Sequence, residues 1–141
     1  MIDQLPGQDA IMAQLRTISG VQVYEGQYLT DGAVPNMDEN SLFEPYLTTI
    51  FGASYAGASR GIVSEQLNTL RTTVTVYSIA PDDRLSREYL GQVRSLLLGF
   101  TPVDGTPLKA FGGYNFVDAD LGVNRYVHSA IFSYETNLSY S

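Results

Sequence analysis

Leu67-Asn68-Thr69-Leu70-Arg71-Thr72-Thr73-Val74-Thr75-Val76-Tyr77-Ser78-Ile79 separates into two alternating sets of side chains. Leu70, Thr72, Val74 and Val76 point one way, while Arg71, Thr73, Thr75 and Tyr77 point the other. A period of two in β-branched and aromatic residues specifies a strand buried on one face. Downstream, Pro81-Asp82-Asp83 stops the strand and supplies acidic residues suited to a helix start. Leu85, Tyr89, Val93, Leu96 and Leu97 then share one face up to Gly99, so an amphipathic helix follows the strand.

Farther out, the signals continue in both directions. Arg125 to Thr136 reads as a second long strand, with Tyr126, His128, Ala130, Phe132 and Tyr134 on a single face. A short strand is expected near Leu108 to Phe111. Towards the N-terminus, Ile11, Leu15 and Ile18 make an apolar stripe on a helix over Gln8 to Ile18 that Gly20 ends. Val21 to Tyr24 and Tyr46 to Gly52 have strand composition, and Gly26 to Pro45 reads as a long irregular connection. The small residues from Ala53 to Gly61 predict a flexible loop or hairpin tip that becomes ordered only when a partner supplies burial. Together these make a single α+β domain over residues 1–141. Its antiparallel-rich mixed sheet carries a projecting long β-hairpin, with two helices packed on one face.

Composition narrows the function. Fifteen acidic against eight basic residues give a net charge of −7, which repels phosphate and argues against a basic nucleic-acid-binding stripe. The chain has no cysteine, which removes disulfide scaffolds, thiolate metal sites and cysteine nucleophiles together. Met1 to Leu5 has no basic region or apolar run, and Leu96 to Phe100 is too short to span a bilayer, so a soluble, unexported chain is expected. Charged residues make up only 16% of the chain, where a typical domain carries about a quarter. Neutral polar residues and ten tyrosines take their place, a bias shared with protein interfaces.

The motifs that suggest chemistry each lack their context. Gly57-Ala58-Ser59-Arg60-Gly61 is a literal G-x-S-x-G, with aspartates and then His128 downstream in hydrolase order. The nucleophile elbow needs a buried strand before the serine and a helix after it, whereas Ala53 to Ala56 is a poor buried strand and Ile62 to Thr69 leads into another strand. A small serine hydrolase using Ser59 is the alternative from a different class. Fluorophosphonate labelling that disappears in Ser59→Ala would establish it. Asp118-Ala119-Asp120 opens like a calcium loop, but Val123 replaces the required glycine and Ser129 the bidentate glutamate. His128 has no second histidine to share a metal, and is expected to be a hydrogen-bonded structural residue. No cofactor or metal is expected.

Several segments, taken in order, resemble the tail terminator (tail completion) proteins of long-tailed bacteriophages. They are the N-terminal helix, Glu44 to Gly52 before the Gly/Ser/Arg loop, the strand Thr72 to Ser78, the amphipathic helix, and Asn124 to Tyr134 with its Arg-Tyr-Val-His run. The resemblance covers most of the chain and rests on diffuse features rather than on one motif. The Gly26 to Pro45 and Leu108 to Gly122 regions fit no part of it, which keeps a head-tail connector or neck protein as an alternative.

The resemblance implies a structural virion protein without catalysis, at the head-proximal end of the tail and in the host cytoplasm during assembly. Such proteins form a homo-hexameric ring on the major tail tube protein, end tube polymerisation and present a docking surface to the neck or head-completion protein. DNA passes through the ring's channel without specific binding, which suits an acidic chain. No membrane is involved. Tyr55, Ser59 and Arg60 at the expected hairpin tip, with Thr73, Thr75 and Tyr77 on the less apolar strand face, are the candidate subunit or tube contacts.

Overall fold

Two long antiparallel pairings organise the chain, and both involve the strand that carries the alternating Thr/Val sequence. In the computed structural model, residues 5–26, 44–55, 69–113, 115–118 and 125–137 are described. The elements are α1 (Leu5–Leu15), β1 (Gln22–Glu25), β2 (Tyr46–Tyr55), β3 (Thr69–Ala80), α2 (Asp83–Leu97), β4 (Lys109–Gly112), β5 (Asn115–Asp118) and β6 (Arg125–Asn137). β3 pairs with β2 from Tyr46 opposite Ile79 to Tyr55 opposite Leu70. On its other side it pairs with β6 from Thr69 opposite Asn137 to Ala80 opposite Tyr126. β1 adds to the outside of β2 in parallel, and β4 and β5 both run antiparallel along the outside of β6. The sheet order is β1-β2-β3-β6-β4, with β5 beside β6. This is the expected α+β fold with a mixed, mostly antiparallel sheet. β2 and β3 make the expected antiparallel pair, but β2 runs on to Tyr55, so Ala53 to Tyr55, expected in the loop, are strand held by the ladder to Leu70–Thr72; the rest of the expected tip, residues 56–61, lies outside the described residues.

The period of two assigns the faces. Val74 and Val76 of β3 and Ala130, Phe132 and Tyr134 of β6 lie on one face, buried with Leu47 against Ile11, Met12, Leu15, Leu90, Val93 and Leu97. Both helices therefore pack on the same side of the sheet, as the sequence predicts. Leu108, buried just before β4, extends this core, and the backbone N–H groups of Gly99 and Leu108 donate to the carbonyls of Leu108 and Phe100 at 3.0 and 2.9 Å.

α2 starts where the acidic pair predicts. Asp82 caps it by accepting from the Leu85 N–H at 3.3 Å, and Asp83 occupies the first turn, where a carboxylate favours the helix dipole. The buried stripe differs by one position from the expected one: it is Ser86, Leu90, Val93 and Leu97, while Leu85, Tyr89 and Leu96 are only half-buried. The cause is a polar tether. Ser86 Oγ donates to the Ser78 carbonyl at 2.6 Å, and Ser78 Oγ donates to the Ser86 carbonyl at 2.8 Å. Both serines are fully buried, and this reciprocal pair joins the start of α2 to the end of β3. Each bond left unmade in such a site costs about 1–3 kcal/mol, so a serine here holds a core position that hydrophobicity alone would assign to leucine.

Three further features depart from the sequence reading: one boundary, one strand and one strand direction. α1 begins at Leu5 rather than Gln8, because Pro6 is tolerated in a first helical turn and Gly7 permits close approach to the chain after α2. A Cβ on Gly7 would lie 3.0 Å from the Val103 carbonyl oxygen. β5 was not anticipated: four residues pair with the start of β6, too short a run to show periodicity by itself. β1 is parallel to β2, a direction that no local signal carries.

Candidate functional site

The face of the sheet away from the helices is divided along its length. At one end Tyr46, Ile79 and Val127 form a small second core, with Tyr24 and Tyr77 packed against it. The Tyr24 and Tyr46 rings meet edge-on at 5.9 Å and 77°. The strand registers then place Ile50, Thr75 and Ile131 in one cross-strand row and Gly52, Thr73 and Ser133 in the next, which Lys109 extends onto β4. These two rows are half-buried or exposed, with Lys109 as their only charge. Gly52 leaves room beside Thr73, since a Cβ there would come within 3.0 Å of the threonine hydroxyl. Arg71 and Glu135 complete the next row as an ion pair of 3.4 Å between half-exposed side chains, a contact worth about 0–1 kcal/mol.

The candidate contact residues thus fall in three settings. Thr73 and Thr75 sit in the middle of this open face, and Tyr77 packs on the edge of the second core. Tyr55, expected at the hairpin tip, instead ends β2 with its backbone opposite Leu70. Ser59 and Arg60, together with the rest of the G-x-S-x-G segment, lie outside the described residues. What the sequence reading missed is the continuation of the face onto β4. There a groove of about 310 Å³ is lined by Arg71, Thr106, Lys109, Phe111, Ser133 and Glu135, and Phe111 is 61% exposed. The signal that could have found it is Lys109-Ala110-Phe111, an aromatic next to a cation in a turn-rich stretch.

His128 has the structural partner its isolation implied. Its Nε2 lies 2.8 Å from Oδ1 of Asp83, linking β6 to the first turn of α2. Ser78 stands opposite His128 across β3 and β6, which brings Asp, His and Ser into one neighbourhood. The Ser78 proton, however, goes to the Ser86 carbonyl, and the side chain is shut off from solvent. This arrangement tethers a helix to a sheet and presents no activated hydroxyl. Asp118 ends β5, and Asp120 lies outside the described residues. Among the described residues no group of three or more His, Cys, Asp or Glu side chains could hold a metal ion, and no helix is long and apolar enough to cross a membrane.

The Asp83 carboxyl is held below its ordinary value, first by the hydrogen bond to His128 and then by Arg87, whose Nε lies 3.0 Å from Oδ2, against an opposing desolvation effect. A depressed folded-state value means that the pair's contribution is complete above the ordinary aspartate value of 3.8 and is lost as the pH falls through the lower, folded value. Thermal unfolding followed by circular dichroism below that pH is expected to show a falling midpoint. In Asp83→Asn this part of the acid dependence should be missing, and an unchanged slope would contradict the assignment.

No family model matches this chain, and no curated protein shows significant similarity to it.

Proposed function

We propose that this chain is a structural protein of a phage tail, a terminator that caps the head-proximal end of the tail tube as a ring of identical subunits. The observation that carries the reading is the sheet face that no described element covers, where the half-buried Ile50, Thr73, Thr75, Ile131 and Ser133 present a nearly uncharged, mostly β-branched platform while the helices cover the opposite face. A charge-poor surface of this kind is cheap to desolvate and suits contact with protein rather than with a small polar substrate. The sequence resemblance supplies the identity of that contact: neighbouring copies, the tube protein below and the neck or head-completion protein above.

Ring closure accounts for the composition. Each protomer of a cyclic assembly buries two different patches, one for each neighbour, and the tube end takes a third. Such demand on the surface favours tyrosine, threonine and serine over lysine and glutamate. The net charge of −7 keeps DNA from adhering to the channel wall. Light scattering at high protein concentration tests the assembly: six copies of a 15.4 kDa chain form a species of ~90 kDa. A chain that remains monomeric in solution and also in assembled particles contradicts the reading.

A further inference from the structure

The two borders of the sheet are unlike, and their chemistry is complementary. β1 and β4 are the outermost strands of the order β1-β2-β3-β6-β4, each four residues long, and neither has a further strand beside it among the described residues. The β4 border carries Lys109, exposed and with no ion-pair partner among the described residues, and beside it the exposed Phe111, over a groove where Arg71 is already paired with Glu135. The β1 border carries Glu25 at its end and Glu44 next to its start, both exposed and without an ion-pair partner among the described residues, around the half-buried Val23 and Tyr24. One edge is thus cationic with a projecting aromatic ring, and the other is acidic with a partly apolar centre.

We infer that β4 of one copy pairs edge to edge with β1 of the next, so that the sheets of neighbouring protomers run on into one another around the ring. The inference rests on the ring reading above and names the surface that closes it. Strand polarity fixes the sense of the contact. β1 runs parallel to β2, β3 antiparallel to β2, β6 antiparallel to β3, and β4 antiparallel to β6, so β4 and β1 point in opposite directions. Rotation about an axis along the strands preserves those directions from copy to copy, and the new pair is therefore antiparallel, the more readily formed kind of ladder. Antiparallel pairing brings the Lys109 end of β4 towards the Glu25 end of β1. Opposite charges meet there, and Phe111 lies over the Val23–Tyr24 strand. The contact is head to tail, since each copy gives one edge and receives the other.

The bulge between Ala110 and Gly112 and the shortness of both strands keep the edges from polymerising indiscriminately, and the charges select the correct neighbour. The ladder occupies only the borders, which leaves the open Thr73–Thr75 face available to the tube.

The absence of cysteine makes the test direct. The full chain carrying both Lys109→Cys and Glu25→Cys is treated with a short bismaleimide at the concentration where the ring forms. A denaturing gel should show a ladder of multimers, while either single-cysteine chain gives monomer only. Separately, Lys109→Glu should lower the ring population in native mass spectra by about tenfold or more, because the altered contact recurs at every interface, and adding Glu25→Lys to the same chain should restore it. Both positions are exposed, so circular dichroism of each variant should match the parent. A ring that forms normally in Lys109→Glu and gives no ladder overturns the edge pairing and leaves the ring reading intact. Cross-linked dimers from a single-cysteine chain would overturn it in favour of a two-fold contact. A parent chain that stays monomeric at every concentration overturns the edge pairing as well, and the ring reading is then decided on assembled particles.

Discussion

Phe132→Ala is expected to lower the stability of the isolated subunit by about 3–5 kcal/mol, a drop of roughly 10–15 °C in the thermal midpoint for a domain of this size. Phe132 is a large aromatic side chain buried on the helix face of β6, only 1% exposed and directly opposite the fully buried Val74. It stands where the two longest strand pairings and α2 converge, so neighbouring backbone cannot collapse into the space that a methyl group leaves. The cost combines the lost transfer energy of the ring with the cavity. Urea unfolding followed by circular dichroism measures it, and a loss below about 1 kcal/mol would mean that the core is not centred on β6.

Gly113→Ala is expected to be as damaging by the opposite mechanism, excess volume rather than lost volume. A Cβ at this position would lie 2.2 Å from the Ser129 carbonyl oxygen, 3.2 Å from its carbon and 3.3 Å from the Ala130 Cα. All three atoms belong to the backbone of β6, which is fixed by the ladder to β3 and cannot rotate aside like a flexible side chain. The glycine φ of +157° adds a backbone conformation that alanine rarely adopts. The expected loss is about 3 kcal/mol or more. Gly91→Ala is the matched control, because that glycine sits on the exposed side of α2 with nothing within 4 Å of an added Cβ. There alanine should stabilise the protein by about 0.5–1 kcal/mol through helix propensity. If the two variants unfold alike, the close passage of residues 112–113 against β6 is not present in the folded protein.

The contrast between these sites shows which physical information a sequence carries. The alternation in β3 and β6 was legible to within one or two residues because period two is imposed by the pleat and one buried face. The start of α2 was legible from its Asp82 cap. The stripe of α2 slipped by one position, since Ser86 is buried on account of a hydrogen bond to Ser78 rather than its own polarity. Contacts of that sort depend on register between distant segments, and so do the Asp83–His128 and Arg71–Glu135 pairs. Of the candidate surface, Thr73 and Thr75 could be placed from the outward set of β3 alone. The groove beside Lys109 could not, because it exists only when β4 is docked on β6 with a bulge at Ala110/Gly112.

The same distinction bears on function. A tail tube grows by repeating one subunit contact, so its exposed end remains able to accept another subunit until something binds there and presents a different surface. On the proposed reading the open sheet face meets the tube, the edges β1 and β4 close the ring, and no surface repeats the tube's own docking face. Length control then follows from surface complementarity, without catalysis.

On the proposed reading the gene belongs to a phage, and electron micrographs of a lysate from that phage with the gene deleted test the claim most directly. The account predicts tubes that run well past their normal length and carry no heads, with tail initiation intact. Tails of normal length lacking only their heads would contradict it and indicate a neck connector, and a lysate without any tails would contradict both assignments.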